Sequence, residues 1–342
     1  MSKSGTYIPP EFFGLSDEEA QGLYREGVDV SHWQHFTPEF VGTKAQIADI
    51  EELTAHARRA TEIYEEGRLS QAEGFVQFAN DLPVTVFFIG DVHIGSYYTD
   101  HDLFMEHMRR IAEMPNAYIV FMSNLVDNAI PSQFPSNMLV NGLPPDKQVV
   151  YMRHVAEELN SRGKVLGAVT SSCHEGWTYK HTGQDINALI FGFPNRRFPV
   201  LQNGGRLHLQ FPSREYVCVP YHKIGPFESN FNETHGLRQM NRLRQNMEAD
   251  IVVGAHKHFA AAEVVYEGTG RRVKQVAYVR SGCYKGVSGV DDRFAVDNYG
   301  TTGEPGGQSV TILPQIDALD AHLSFEVGML AQEVCLKHAI GH

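Results

Sequence analysis

The first half of the chain alternates short apolar runs with segments of helical periodicity. Strands are predicted at 84–90 (VTVFFIG), 117–123 (AYIVFMS) and 164–171 (KVLGAVTS), and helices at 102–114 and 147–163. A helix that connects two successive strands crosses over the sheet, and such a crossover makes neighbouring strands parallel. The pattern therefore predicts an α/β fold with parallel strands inside and helices outside.

The second half adds antiparallel pairs. RLHLQF and REYVCVPYH are close enough in sequence to form a hairpin, and AAAEVVYEGTGRRVKQVAYVRSG indicates two strands around a glycine-containing turn. Between these pairs, Leu237, Met240, Leu243 and Met247 mark the buried face of a helix. The sheets should therefore be mixed.

Composition excludes several classes of protein. The formal net charge of -12 over 342 residues disfavours a general nucleic-acid-binding surface, because such surfaces neutralise phosphates with Lys and Arg. No signal peptide and no apolar run of membrane-spanning length is recognised. The four cysteines form no CxxC pair, which indicates free thiols in a reducing compartment, so a cytoplasmic location is expected.

Three regions are predicted. Residues 1–80 form an N-terminal arm, irregular to residue 43, and a helical extension that runs from Lys44 to about Asn80. Residues 81–290 form the main domain, and residues 291–342 form a C-terminal loop and an extension that packs on it. Residues 129–146 and 295–308 are long loops, which are often functional.

Polar side chains follow five of the predicted strands. In an α/β sheet the ligand-binding loops gather at the carboxyl ends of the strands. A single histidine after a strand usually has a structural role, but polar residues at the ends of five strands indicate a ligand-binding site. The residues concerned are Asp91 and His93, Asn124 and Asp127, Cys173, His174 and Glu175, His222, and His256 and His258.

Imidazole and carboxylate ligands together suit Zn, Mn or Fe. Two such cations about 3.5 to 4 Å apart can clamp a phosphoryl group and lower the pKa of a bound water. Hydrolysis of a phosphate ester is therefore the natural interpretation of this collection of residues.

The ordered series GDVH, SNLVDN, SCHE, PYH and GAHKH resembles the five-block signature of the calcineurin-like metallophosphoesterases, GDxH, GDxxD, GNH(E/D), H and GHxH. The resemblance covers roughly residues 84–285. It implies a four-layer α/β/β/α sandwich, in which helices flank two mixed β-sheets, and a dinuclear metal site that hydrolyses phosphomonoesters or phosphodiesters.

The resemblance also implies a role for each residue. Asp91, His93 and His258 would hold the first metal, and His222 and His256 the second. His174 would be the general acid, with Asp127 as the carboxylate that orients it.

Two blocks depart from the family pattern, both at metal ligands. Asn124 stands where the family has a bridging Asp, and Cys173 stands where it has an Asn ligand. One hypothesis is a site retuned toward thiophilic metals such as Zn or Fe, with hydrolysis retained. The alternative is a catalytically impaired protein of the same fold that acts as a binding or structural module. It also stays open that Cys173 is a buried residue with a purely structural role.

Substrate signals are weaker. Trp177, Tyr179, Lys180 and His181 lie in a predicted loop beside the metals, where aromatic rings could stack on bases and Lys could attract phosphate; packing of these rings on a neighbouring helix is as good an interpretation. His235 and Arg238 begin a later helix, where Arg238 could bind a phosphate.

The expected partner is a phosphate ester, such as a nucleotide or a single-stranded nucleic-acid end, and not a membrane. A nuclease, a phosphatase and a non-catalytic docking protein stay open, and the layout is similar to that of some phage-encoded members. The sequence does not indicate an oligomeric state.

Overall fold

The computed structural model describes residues 50–51, 54–55, 57–59, 73–128, 141–171, 173–224, 233–243, 248–269, 272–286 and 303–340. The chain divides into two units, Met1–Arg59 and Ala60–His342. In the first unit the described residues are helical. Everything that follows concerns the second unit.

Twelve strands form two six-stranded mixed sheets. The first sheet has the order β1-β6-β7-β8-β10-β9, and the second has the order β12-β11-β2-β3-β4-β5. The strands are β1 Glu73–Gln77, β2 Val84–Ile89, β3 Ala117–Phe121, β4 Val165–Val169, β5 Val200–Leu201, β6 Arg206–Gln210, β7 Glu215–Tyr221, β8 Ile251–Gly254, β9 Ala261–Thr269, β10 Arg272–Arg280, β11 Ser309–Leu313 and β12 Ala318–His322.

Helices cover the outer faces of both sheets. They are α1 His101–Glu113, α2 Pro145–Ser161, α3 His174–Thr182, α4 Ile186–Phe191, α5 His235–Leu243 and α6 Phe325–Ile340, with a short 3-10 helix at Pro314–Ile316. Among the described helices, none is long and apolar enough to cross a membrane. All four cysteines have free thiols.

Strand β2 shows why the layers form. Successive side chains of a strand point to opposite faces. Val86 and Phe88 pack between the two sheets with residues of β6 to β8, whereas Phe87 and Ile89 pack outward against the helices. Both faces of the strand are buried, as expected of a central strand in an α/β sheet.

A third apolar cluster joins α5 to the outer face of the first sheet through Leu237, Met240 and Tyr278. The layer order is therefore helix, sheet, sheet, helix, and the predicted four-layer α/β/β/α architecture is confirmed.

The structure differs from the sequence prediction at both ends of the core. A helix was predicted to extend to about Asn80. Instead, residues 73–77 form strand β1, which pairs in parallel with β6. In the C-terminal segment β11 lies between β2 and β12 and pairs antiparallel with both. The sheets therefore extend beyond residues 81–290, and the terminal strands depend on partners distant in sequence.

The residues after His174 were predicted to form a loop, but His174–Thr182 form helix α3. The predicted arm at residues 1–43 lies outside the described residues, as do residues 129–140 and 295–302 of the two predicted long loops.

Candidate metal centre

The loops that follow β2, β3 and β8 hold their polar residues in an unusual backbone conformation. Positive φ angles occur at Asp91 (48°), His93 (54°), Asn124 (49°), His256 (80°) and His258 (61°). Residues other than glycine rarely adopt this conformation, and it costs each of them about 1 kcal/mol or more. Such residues cluster where side chains must be aimed at one point, and here they converge on a single buried site.

One set of ligand atoms comes from the loops after β2 and β8. The aspartate group consists of Asp91, His93 and His258, all of them buried. Asp91 Oδ1 lies 3.8 Å from His93 Nε2 and 3.7 Å from His258 Nε2, and the two Nε2 atoms are 3.2 Å apart. Ligand atoms bound to one cation at about 2.1 Å stand about 3.0 to 3.5 Å apart, so this group is close to the spacing that a shared cation requires.

A second set comes from the loops after β4, β7 and β8. The cysteine group consists of Cys173, His222 and His256, with Cys173 Sγ 3.9 Å from His256 Nδ1. Asp91 Oδ1 is 3.9 Å from His222 Nε2, a distance comparable to those within the aspartate group. The two groups are therefore immediate neighbours on either side of Asp91.

Hydrogen bonds fix the tautomers of two of these histidines. His222 Nδ1 lies 2.7 Å from the carbonyl oxygen of Met122, which can only accept, so Nδ1 carries the proton. His93 Nδ1 lies 3.2 Å from Asp127 Oδ1 and donates in the same way. Each ring thus presents the lone pair of Nε2 to the site. The Nε2 atom of His222 is buried and has no hydrogen-bond partner among the described residues, as expected of a metal ligand.

Burial keeps the imidazoles neutral. It lowers the pKa of His222 to about 3, with a contribution from His256, and lowers the pKa of His256 to about 4, aided by the nearby charges of Lys223 and Lys257. The pKa of His258 is also well below its usual value, first because of burial and then because of His93. Neutral imidazoles can bind a cation without first losing a proton.

The thiol of Cys173 behaves differently. Burial raises its pKa to about 11, so it is protonated when no cation is bound. Metal binding at the cysteine group would therefore release one proton and leave a thiolate ligand.

Asp127 belongs to a third cluster, with His93 and His174. Its Oδ1 is 3.1 Å from the ammonium of Lys285 and 3.2 Å from His93 Nδ1, and all three side chains are buried. Burial opposes ionisation of Asp127, but Lys285 and the hydrogen bond from His93 outweigh it and hold the pKa of the carboxyl below its usual range. Lys285 neutralises this carboxylate, and the hydrogen bond from His93 Nδ1 to Asp127 fixes the orientation of the His93 ring.

His174, the predicted general acid, lies beside the aspartate group. Its ring centroid is 4.4 Å from that of His93 and 4.1 Å from that of Trp177. Its Nδ1 donates to the backbone carbonyl of Asp127 at 2.5 Å. Asp127 was expected to orient His174 through its carboxylate; instead it does so through its main chain, because its carboxylate is engaged by His93 and Lys285.

Two residues hold this part of the site together. The buried carboxylate of Glu175 accepts from the backbone N–H of Leu125 at 2.6 Å and from Ser123 Oγ at 3.1 Å. Asn128 Nδ2 donates to the carbonyl oxygen of His174 at 2.6 Å. The loop after β3 and the start of α3 are thereby fixed to each other.

The sequence prediction omitted Lys285 and Asn128, and it included Glu175 in the site without a specific role. Lys285 follows β10 in the stretch SGCYKG, which contains no metal-ligand pattern, so only the tertiary structure brings it to Asp127. The hydrogen bonds of Glu175 to Leu125 and Ser123 join two loops and have no signal in the sequence.

The predicted substrate-binding residues are not all at the site. Arg238 is paired with Glu263 and lies over the ring of Tyr278 at 5.6 Å, so its charge is already compensated. Tyr179, Lys180 and His181 are exposed on α3, and Trp177 is partly buried against His174. Trp177 is therefore the aromatic residue of this set that contacts the candidate centre.

Comparison with known proteins defines no family. No family model matches the chain, and no curated protein sequence matches it significantly. Among solved structures, wild-type Vps29 from Entamoeba histolytica in complex with Zn²⁺ is similar over 70% of this chain and 97% of that chain, with a TM-score of 0.34 and 10% identity. A TM-score this low supports no argument, so the fold rests on the sheets and helices described above. Fold and site together define a four-layer α/β protein with two adjacent residue groups that could hold metal ions.

Proposed function

We propose that this protein is a metal-dependent phosphoesterase that hydrolyses a phosphodiester or phosphomonoester at a dinuclear centre. The observation that carries the proposal is the adjacency of the two ligand groups. Asp91 Oδ1 lies 3.7 to 3.9 Å from Nε2 atoms of both groups. Two cations held so close together suit the clamping of a phosphoryl oxygen.

The ligand set fits divalent cations. The aspartate group would hold one ion and the cysteine group the other, with Zn, Mn or Fe as the candidate metals. When bound, the ions would supply Lewis acidity and lower the pKa of a coordinated water. The protein supplies neutral imidazoles at His222, His256 and His258, fixed tautomers at His93 and His222, and the buried carboxylate of Asp91.

His174 is proposed as the general acid. Its Nδ1 proton is committed to the carbonyl oxygen of Asp127, so Nε2 is the atom that gains or loses a proton during the reaction. Burial holds its pKa well below the usual value in the free protein. A bound phosphate anion would raise that pKa and favour the protonated ring that a leaving oxygen requires.

A nucleotide or a single-stranded nucleic-acid end is the proposed class of substrate. Trp177 provides an aromatic surface against His174, and aromatic rings stack on bases of any sequence. Lys223, exposed and adjacent in sequence to His222, provides a positive charge that a phosphate would need.

The test is hydrolysis of bis(4-nitrophenyl) phosphate by protein prepared without chelators and supplied with Mn²⁺ or Zn²⁺. His174→Ala should lower kcat by about 100-fold or more, the usual contribution of a general acid. His181→Ala, at an exposed position of the same helix, is the matched control and should retain activity.

A non-catalytic binding module is the second candidate, favoured by the neutral Asn124 among the ligands. Retention of metal with no turnover in the wild-type protein, and turnover in the double variant Asn124→Asp, Cys173→Asn, would support it and contradict the enzyme proposal.

A further inference from the structure

The amide of Asn124 makes a specific contact with the carboxylate of the aspartate group. Asn124 Nδ2 donates to Asp91 Oδ1 at 3.0 Å, and both side chains are buried. The opposite amide orientation would place two acceptor oxygens against each other, so the contact itself fixes which atom is the nitrogen. The second oxygen of Asp91 is also engaged, since Oδ2 accepts from the backbone N–H of His256 at 2.6 Å.

These contacts limit what Asp91 can bind. A carboxylate oxygen offers two lone pairs. On Oδ1 one of them receives the N–H of Asn124, and on Oδ2 one receives the N–H of His256, so each oxygen has at most one lone pair for a cation. Neither oxygen therefore supplies the two lone pairs that a bridge between two cations through one oxygen would need.

The two ligand groups also differ in chemical softness. The aspartate group offers one carboxylate oxygen and two imidazoles, a set that suits Mn²⁺ or Fe²⁺. The cysteine group offers one sulfur and two imidazoles, a set that suits Zn²⁺ or Co²⁺ and leaves a fourth position open.

We propose that Asn124 confines Asp91 to the aspartate group, so that the cysteine group is an independent thiolate site for a thiophilic divalent cation. Asn124 is then a positioning residue that separates two sites of different metal preference. Binding at the cysteine group converts the Cys173 thiol to a metal-bound thiolate and releases one proton to solvent. The inference rests on the metal centre of the proposed function but not on turnover.

Cobalt spectroscopy tests the thiolate. Co²⁺ added to the metal-free full-length protein should produce a sulfur-to-cobalt charge-transfer band in the near ultraviolet, and one equivalent of Zn²⁺ should remove it. The band should be absent in Cys173→Ser and in His222→Ala, and present in His258→Ala, which alters only the aspartate group. Cys335→Ser, a change on α6 outside both groups, is the matched control and should keep the band.

Metal stoichiometry tests the role of Asn124. The wild-type protein should retain two Zn²⁺ but only one Mn²⁺ per chain after gel filtration, because Mn²⁺ binds thiolate poorly. Asn124→Asp should raise Mn²⁺ retention to two per chain, since a second carboxylate can then bridge the groups. Circular dichroism spectra and thermal melts identify any variant that has lost its fold.

Three results would overturn the inference: no charge-transfer band in the wild-type protein, a band that persists in folded Cys173→Ser, or two Mn²⁺ retained by the wild-type protein. Failure of the proposed function is distinguishable. The predicted bands and stoichiometries without ester hydrolysis would contradict the enzyme proposal alone, whereas metal-dependent hydrolysis without the band would contradict only the thiolate site.

Discussion

The ammonium of Lys285 lies 3.1 Å from Oδ1 of Asp127, and the protein covers both groups. The same oxygen accepts from His93 Nδ1 at 3.2 Å. One buried ion pair therefore connects the segment after β10 to His93, a member of the aspartate group. This pair determines both the charge state of Asp127 and the direction in which His93 presents Nε2.

Removal of Lys285 alone should be strongly destabilising. Lys285→Met would leave Asp127 as a buried carboxylate without its cation, and breaking a buried pair in this way costs about 3 to 5 kcal/mol. The double variant Lys285→Met, Asp127→Asn should recover part of that loss, because no uncompensated charge is left. Urea unfolding of the wild type, both single variants and the double variant measures the coupling. Strictly additive effects would show that the pair contributes no coupling energy.

The stability of the metal-free protein should fall in mild acid, in part because of His107. Its Nδ1 lies 2.8 Å from the hydroxyl of Tyr284, and its ring stacks on Phe325. Burial, aided by Arg110 and opposed by Glu326, Glu106 and Asp100, lowers the pKa of His107 to about 4. The unfolded chain binds this proton near pH 6.5, so the free energy of unfolding falls as the pH drops from about 6.5 to about 4.

His107→Asn should remove about 2 kcal/mol of the difference in unfolding free energy between pH 7 and pH 5. The measurement is urea unfolding at both pH values in the presence of EDTA. His181→Asn, on the exposed side of α3, is the control. An unchanged pH dependence in folded His107→Asn would contradict the prediction.

Helix α6 should not tolerate a side chain at Gly328. A Gly to Ala change inside a helix normally stabilises it by about 1 kcal/mol. Here the added Cβ would overlap Ser309 Oγ and lie 3.1 Å from Cε1 of Phe87, where the helix packs on β11 and β2. Overpacking costs about 1 to 3 kcal/mol, so Gly328→Ala should be destabilising in a thermal melt. Leu330→Ala, on the exposed side of α6, should change stability little, and a stabilised Gly328→Ala would contradict the predicted packing.

Lys223 should contribute to substrate affinity if the proposed function is correct. It is exposed, and its charge adds to the effect of burial in lowering the pKa of His256. Lys223→Glu should raise KM for a phosphodiester by about tenfold at low salt, with a smaller effect at high salt because the charge is screened. Lys147→Glu, an exposed change on α2, should leave KM unchanged. Equal effects of the two substitutions would indicate a non-specific response to net charge.

The central strands and the candidate ligands were predictable because their signals are local. The apolar and β-branched residues of VTVFFI are enough to predict a strand, and the candidate ligands follow such apolar runs in the sequence. In contrast, β1 and β11 became strands through pairing with β6 and β2, which are far away in sequence. Helix α3 was also missed, since its hydrophobic periodicity is weak and its position is fixed by Glu175 and Asn128.

Side-chain pairing within the site was the least predictable part. The sequence placed Asp127 near His174 correctly but did not indicate that Lys285 would engage the carboxylate. Likewise, Asn124 was recognised as a departure from a bridging Asp, whereas its donation to Asp91 depends on two loops meeting in space. Spacing along the chain indicates which residues gather, and the tertiary structure determines which atoms pair.

The metal content of the wild-type protein tests the proposed two-metal centre most directly. Protein loaded with Zn²⁺, freed of excess metal by gel filtration and analysed for its elements should contain two Zn²⁺ per chain. The double variant Asp91→Asn, His222→Ala should contain no Zn²⁺, because each substitution removes a ligand from one group. A wild-type protein that retains no metal, or a double variant that retains as much as the wild type, would contradict the assignment of this sheet edge as a two-metal centre.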